Sequence, residues 1–470
     1  MAPETAASSR LRHYLDTLPD GVRDRLARAI VESAESARGD PALKALQDML
    51  APLGGDIRDP GILGPLADAR RRFTQLLEPF AVHASGSEKF RRRIDAGTVG
   101  QLWDWLAAKG GEAMTAAMEA ADAAATPAEA AEADDRLHAA QAELLRDLVA
   151  QARGSNAHAF QLETELGISQ AVDHLDDAAR ILSMAAPLRD LMRQLPAQIA
   201  QLDKHAVDFL IEKLLAFPAE ALDIPLIAVA SRLAAPAQVA RLAPAAEQTD
   251  NAVRLAKGRW AAAVEVAIVE LEISAAEIAG SRRPREAEAV AALLRRAYQA
   301  AKAIAQAVEL DSGPAWHARI TAVRKRISDQ LSRDLGELPA MLRHAVRPII
   351  AADVPQRSDA RSIEDTERLL SILVAAKPYR GELALNDLVD RYIKQIESYL
   401  ENANQLFLTV LRSGDEGLRN RAVAGFPVMC SFSRRVFGED YANLFRRSAA
   451  VASGGAINDD REFDAPAAVA

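Results

Sequence analysis

The sequence predicts an all-α protein built of multi-helix bundles, with an irregular helical array in its middle region and no appreciable β-sheet. Three observations predict this. Apolar residues recur at helical spacing between clear start and stop signals. Aromatics are 5% of a chain that is 49% hydrophobic, so alanine and leucine build most of the core, and alanine is the strongest helix former. No run of β-branched residues alternates between turn dipeptides, as a strand meander would require.

The N-terminal region, 1–110, reads as short helices broken at Pro19-Asp20-Gly21, Gly39-Asp40-Pro41, Pro52-Leu53-Gly54-Gly55 and Asp59-Pro60-Gly61. A loop at Ser85-Gly86-Ser87 precedes a helix holding Trp103 and Trp105. From Glu112 to Ala125 the chain is nearly all alanine and acid, a helix with little to bury. Thr126-Pro127-Ala128-Glu129 then supplies an N-cap threonine, a first-turn proline and a glutamate three residues on, the pattern of a capping box.

A central helical domain, 111–351, follows. Prolines at Pro187, Pro196, Pro218, Pro225, Pro236 and Pro244 predict short, zigzagging helices, and their uneven spacing argues against a repeat array. Trp260–Gly280 is its strut. Trp260, Val264, Ile268, Leu271, Ala275 and Ile278 line one face, and Val266, Val269 and Ile273 lie nearly opposite. Glu265, Glu270, Glu272 and Glu277 fall in two narrow lines between them. A helix apolar on two sides is expected between two layers. Ser312-Gly313-Pro314 restarts the chain as a helix, and Asp353–Ser358 reads as a linker.

A C-terminal helical domain, 362–452, opens at Ser362-Ile363-Glu364-Asp365, and Lys377-Pro378 ends its first helix. From Leu385 to Leu411, a heptad seam runs through Leu385, Val389, Tyr392, Ile396, Tyr399, Ala403, Leu406 and Val410. Ile393, Leu400 and Phe407 widen it beyond what a two-stranded coiled coil buries, which predicts a bundle helix. Residues 453–470 are glycine, acid and alanine, and read as a disordered acidic tail.

Charge and cysteine bound the function. The net charge is −9, which argues against a general nucleic-acid binder. It is uneven: Glu112–Arg180 holds 14 acids against 4 arginines, and Ser281–Arg347 holds 13 basic residues against 7 acids. These stretches are expected either to be ordinary solvated surfaces or to dock with each other or with an acidic partner. Cys430 is the only cysteine, in an apolar context without a histidine, and reads as a buried structural thiol in a reducing compartment. Met1–Leu18 lacks the apolar core of a secretory signal. The glutamates of Trp260–Gly280 forbid a membrane span there.

Candidate chemistry is sparse. Asp173-His174-Leu175-Asp176-Asp177 and Asn386-Asp387-Leu388-Val389-Asp390 are acidic clusters. Helical geometry turns Asp173, Asp176 and Asp177 away from the face of Val172, Leu175, Ala179 and Leu182, towards solvent. His205, Asp208 and Glu212 share a face at metal-ligand spacing, on the polar side of a helix that buries Leu202, Ala206 and Phe209. No metal site and no cofactor is expected from either, nor any catalytic residue. Arginine runs at Arg70-Arg71-Arg72, Arg91-Arg92-Arg93, Arg282-Arg283 with Arg285, and Arg324-Lys325-Arg326 each suit a phosphate or carboxylate. Of these, Arg282, Arg283, Arg285, Arg324, Lys325 and Arg326 are the expected contacts to an anion or partner.

The sequence is read as a cytoplasmic, non-catalytic scaffold, adaptor or regulator that binds another protein and can self-associate. One alternative is an all-α enzyme or small-molecule binder with an interior pocket. A second is a binder of nucleic acid or another anionic surface through residues 281–347.

Overall fold

The computed structural model describes residues 68–83, 88–124, 126–200, 202–280, 286–351 and 360–457. The expected short helices before residue 68, the 353–358 linker, Arg282, Arg283 and Arg285, and the tail beyond 457 lie outside them.

Helix dominates, as the periodicity predicts. In chain order the helices are α1 (Ala69–Leu77), α2 (Ala96–Asp122), α3 (Pro127–Arg153), α4 (Asn156–Leu166), α5 (Ala171–Leu182) and α6 (Ala185–Gln194). They continue with α7 (Lys204–Leu214), α8 (Asp223–Arg232), α9 (Leu242–Glu247), α10 (Ala252–Leu255), α11 (Ala261–Ala279) and α12 (Ala287–Ala307). The last are α13 (Pro314–Leu335), α14 (Leu338–Ile350), α15 (Ala360–Ala376), α16 (Asn386–Leu411), α17 (Glu416–Phe437) and α18 (Glu439–Ala452). Among the described residues the only strands are β1 (Ala81–Val82) and β2 (Ile94–Asp95), which pair in parallel with Ala81 opposite Ile94. No helix among them is long and apolar enough to cross a membrane.

Local signals explain several boundaries. The capping box forms: the Thr126 N–H donates to the Glu129 carboxylate at 3.3 Å, and the Glu129 N–H donates to the Thr126 hydroxyl at 3.2 Å. Asp203 and Asp415 cap α7 and α17 through side-chain bonds to Ala206 and Leu418 N–H groups. Pro314 starts α13, and a short 3-10 turn at Lys377–Tyr379 follows α15. The proline-rich stretch resolves into short helices and a 3-10 segment, Pro236–Arg241, as expected.

The described residues fall into two compact units. One comprises 68–79, 99–151 and 178–199; the other comprises 80–98, 152–177 and 200–457. In the first, the core gathers Phe73, Leu77, Leu102, Leu106, Leu137 and Leu145. Arg72 is buried there and grips Asp134 with two parallel bonds of 2.7 and 2.8 Å, while its Nη2 donates to the Ala121 carbonyl. His138 lies one turn beyond Asp134 and packs against the Phe73 ring. Burial pushes its imidazole down to about 4, the nearby Arg189 and Arg72 adding to this while Asp134 and Asp135 oppose it.

In the second unit, α11 is enclosed almost all round, packing on α8, α9, the Pro236–Arg241 segment, α12 and α13. Both predicted apolar faces are buried. The glutamates between them are clasped by arginines. Arg319 of α13 takes Glu272 in a bidentate pair of 2.9 and 3.0 Å and also reaches Glu265, while Arg296 of α12 takes Glu277 at 3.0 Å. Helices α14 to α18 form a bundle in the same unit. α17 comes so close to α14 that a Cβ on Gly425 would stand 2.6 Å from Ile349.

Two predicted faces need correction. In α16, Leu406 is 55% exposed and Tyr392 and Tyr399 are half-buried, whereas Leu400 and Phe407 are wholly buried. A straight helix drifts about 20° per heptad against a strict seven-residue repeat. Over 26 residues that drift moves the core stripe onto Ile396, Leu400, Ala403 and Phe407, where α14, α17 and α18 pack. In α7 the buried face is Val207, Leu210 and Leu214, and Phe209 is exposed.

Candidate ligand-binding site

The candidate site is organised by an irregular strap, residues 88–95, in the second unit. Its sequence Lys89-Phe90-Arg91-Arg92-Arg93 reads as a solvated basic run. In the structure it is an anchored element. Phe90 plugs an apolar cluster with Val82, Val269, Ile273 and Ala276, which explains why this segment lies against α11. Arg92 then adopts a left-handed backbone, φ +55, in a turn closed by the Arg93 N–H to the Phe90 carbonyl at 3.0 Å. That conformation costs a non-glycine residue about 1–2 kcal/mol.

Three carboxylates from three helices receive the strap's cations. Asp177 of α5 accepts from Lys89 Nζ on one oxygen and from Arg92 Nη1 at 2.8 Å on the other. Asp223, in the first turn of α8, takes Arg91 at 3.0 Å and Arg92 at 3.1 Å on its Oδ2. Glu270 of α11 takes Arg93. Burial works against the charge on both Arg92 and Arg93. At Arg92 the pairing with Asp177 and Asp223 outweighs it and the pKa rises; at Arg93 burial prevails and it falls.

This corrects the expectation for the Asp173–Asp177 cluster. Asp173 is exposed, but Asp177 is buried. On its own helix Asp177 does stand off the leucine face; what covers it is the strap, which carries no periodicity to announce itself. Asp176 pairs with Arg153 at 3.2 Å. Among the described residues no three His, Cys, Asp or Glu side chains gather as a metal site would need, and His205, Asp208 and Glu212 are exposed.

The strap borders two cavities, and Arg93 lines both. The larger, of about 220 Å³, is walled by Ile227 of α8 and by Ala261, Ala262, Val266 and Val269 of α11. Its polar lining is Arg91, Arg92, Arg93, Asp223, Glu220, Glu265 and Arg259. Arg259 precedes α11 and donates through Nη2 to the carbonyls of Leu214, Leu215 and Phe217, closing the end of α7. The smaller cavity, about 170 Å³, is lined among others by Val82, Phe90, Asp95, Ser169 and His174. There the Asp95 N–H donates to His174 Nδ1 at 3.2 Å, which fixes the neutral ring with its proton on Nε2. Burial, aided by Lys89, lowers that imidazole to about 4.

The other candidate arginines are placed as follows. Arg324 and Arg326 face Glu382 at 4.0 Å and Glu88 at 2.7 Å, and Lys325 between them is exposed. Arg70 pairs with Asp104. The basic side chains Arg296, Arg319, Arg324 and Arg326 thus meet glutamates of their own unit. Sequence reasoning missed Lys89, Asp177, Asp223, Arg259 and Glu270 as site residues; the one available signal was the Arg91–Arg93 run. No protein-family model matches this chain, and neither does any curated protein or any solved structure.

Proposed function

We propose that this chain is a non-catalytic binding protein that holds a small molecule in the cavity beneath the strap. The observation that carries the reading is that cavity: apolar walls from α8 and α11, with a few convergent polar groups along one strap, the usual composition of a ligand site. Asp223 and Glu265 in its lining are engaged as ion-pair acceptors, which suits holding a shape more than moving protons. The lone, buried Cys430 supports a reducing, cytoplasmic setting. Ala262→Phe tests the reading by filling the cavity. Small apolar and amphiphilic compounds should raise the melting temperature of the wild type and not of the variant. A panel that stabilises both equally, or neither, would remove the proposal.

A second reading, self-association or docking of another protein, is favoured by α18. Leu444 and Val451 lie seven residues apart on its outer face, 63% and 80% exposed. Light scattering of the wild type against Leu444→Glu with Val451→Glu tests it. An assembly that the double variant splits supports this reading, and a wild-type monomer counts against self-association.

A further inference from the structure

We infer that the smaller cavity is a second binding site, distinct from the chamber between α8 and α11, and that it takes a small neutral carboxamide on a short, branched apolar body. The juxtaposition of His174 and Asp95 in its wall carries this. The Asp95 N–H donates to His174 Nδ1 at 3.2 Å, so the single proton of the neutral ring sits on Nε2. Among the described residues that Nε2–H meets no acceptor. His174 is only 8% exposed, yet its Nε2 is not closed off from solvent as His138 Nδ1 is. A buried ring that lines a cavity, with one edge held and the other open, presents the open edge to whatever fills that cavity. A buried donor so placed calls for an acceptor.

Asp95 supplies the opposite half. Its Oδ2 accepts from the Thr98 N–H at 3.0 Å, whereas Oδ1 accepts from no described residue. A carboxamide matches the pair, because its carbonyl accepts from His174 Nε2 while its N–H donates to Asp95 Oδ1. Charged ligands fit less well. The other ionised groups in the lining are already paired, Arg93 with Glu270 and Glu88 with Arg326. A carboxylate would therefore face the Asp95 charge, and an ammonium has no acceptor for the His174 N–H. Val82, Phe90, Ile94 and Ile168 give the cavity its apolar side. An apolar cavity of about 150 Å³ accommodates benzene; the 170 Å³ found here suits a molecule with as many heavy atoms, such as isobutyramide.

The test titrates the full chain with isobutyramide, isobutyrate, isobutylamine and methyl isopropyl ketone, and follows histidine ring nitrogens and methyl groups by NMR. The ketone keeps the shape of the amide and lacks its N–H. His174 should show a neutral ring with its proton on Nε2, and the amide should shift that nitrogen together with the Ile94 and Ile168 methyls. The ketone should bind about tenfold more weakly, the usual worth of a hydrogen bond to a charged acceptor, and neither ion should match the amide. In His174→Asn the side-chain oxygen can still accept from the Asp95 N–H, but no donor reaches the cavity. Amide affinity should fall about fivefold there, the usual worth of a neutral hydrogen bond. His174→Gln, whose N–H extends as far as Nε2, should keep it. Ala262→Phe fills the larger cavity and should leave amide binding unchanged. The ligand series and the ring tautomer decide the matter even where a variant does not fold. A proton on Nδ1, a ketone or ion that binds as tightly as the amide, affinity undiminished in His174→Asn, or no binding at all would each overturn the inference. Amide binding lost in Ala262→Phe belongs to the larger cavity and overturns it too, while leaving the first reading intact.

Discussion

Arg93 of the strap is ion-paired with Glu270 of α11, 177 positions away in sequence, and both side chains are nearly closed to solvent. A buried pair of this kind adds little net stability over an apolar substitute, but losing one partner strands the other charge. Glu270→Gln should therefore destabilise the chain by about 3–5 kcal/mol, while Arg93→Met with Glu270→Met should recover most of that loss. Urea unfolding of the three proteins checks this. A single variant within about 0.5 kcal/mol of the wild type would mean the strap does not depend on its anchor.

Asp177 and Asp173, one turn apart, should behave oppositely. Asp177→Ala takes from Lys89 its partner carboxylate and from Arg92 one of two, in a buried setting, and should cost about 3 kcal/mol. Asp173→Ala changes an exposed group and should stay within about 0.5 kcal/mol. Equal effects would contradict the placement of the strap over Asp177.

The contrast between these two aspartates marks what was legible in the sequence. The two apolar faces of α11 and the capping box at Thr126 were readable because both are local, periodic signals. The angle of Asp177 on α5 was readable too, but its burial was not. A carboxylate off the apolar stripe is normally solvated unless a distant segment covers it, and Lys89, Arg92 and Asp223 lie 88, 85 and 46 positions away. The same holds for Arg91–Arg93. A basic run looks identical whether its partners are water or buried acids on other helices. In α16 the widening positions Leu400 and Phe407 are buried as their spacing implies, whereas the seam position Leu406 is not, because counting in sevens overlooks the 3.6-residue turn.

Stability should fall with acid in a defined window. His138 and His174 are held neutral in the folded chain, with pKa values of about 4 against 6.5 when unfolded. Between those values the unfolded chain binds more protons, so this contribution is complete above about pH 6.5 and is lost as pH drops towards 4. Each histidine adds a slope of up to about 1.4 kcal/mol per pH unit. Replacing His138 by Phe, which can still pack on Phe73, should remove about one proton's share of that slope. An unchanged slope would show that the His138 ring titrates alike in the folded and unfolded chain, as an exposed imidazole would.

In α16, Ile396→Asp buries an unpaired charge at a position that is 1% exposed and should cost several kcal/mol, of order 3 or more. Leu406→Asp, on the solvent side, should change stability by less than about 0.5 kcal/mol. Thermal melts with light scattering distinguish this from a dimerisation seam, in which both changes would split an oligomer while leaving folded subunits.

The central claim, that the cavity between the strap, α8 and α11 is the binding chamber, is tested most directly by methyl-resolved NMR of the full chain titrated with hexanoate. The methyl signals of Ile227, Val266 and Val269 should shift together and saturate at one common affinity, while Val410 and Leu411 of the C-terminal bundle stay fixed. Shifts confined to other methyl groups, or none at all, would contradict the account.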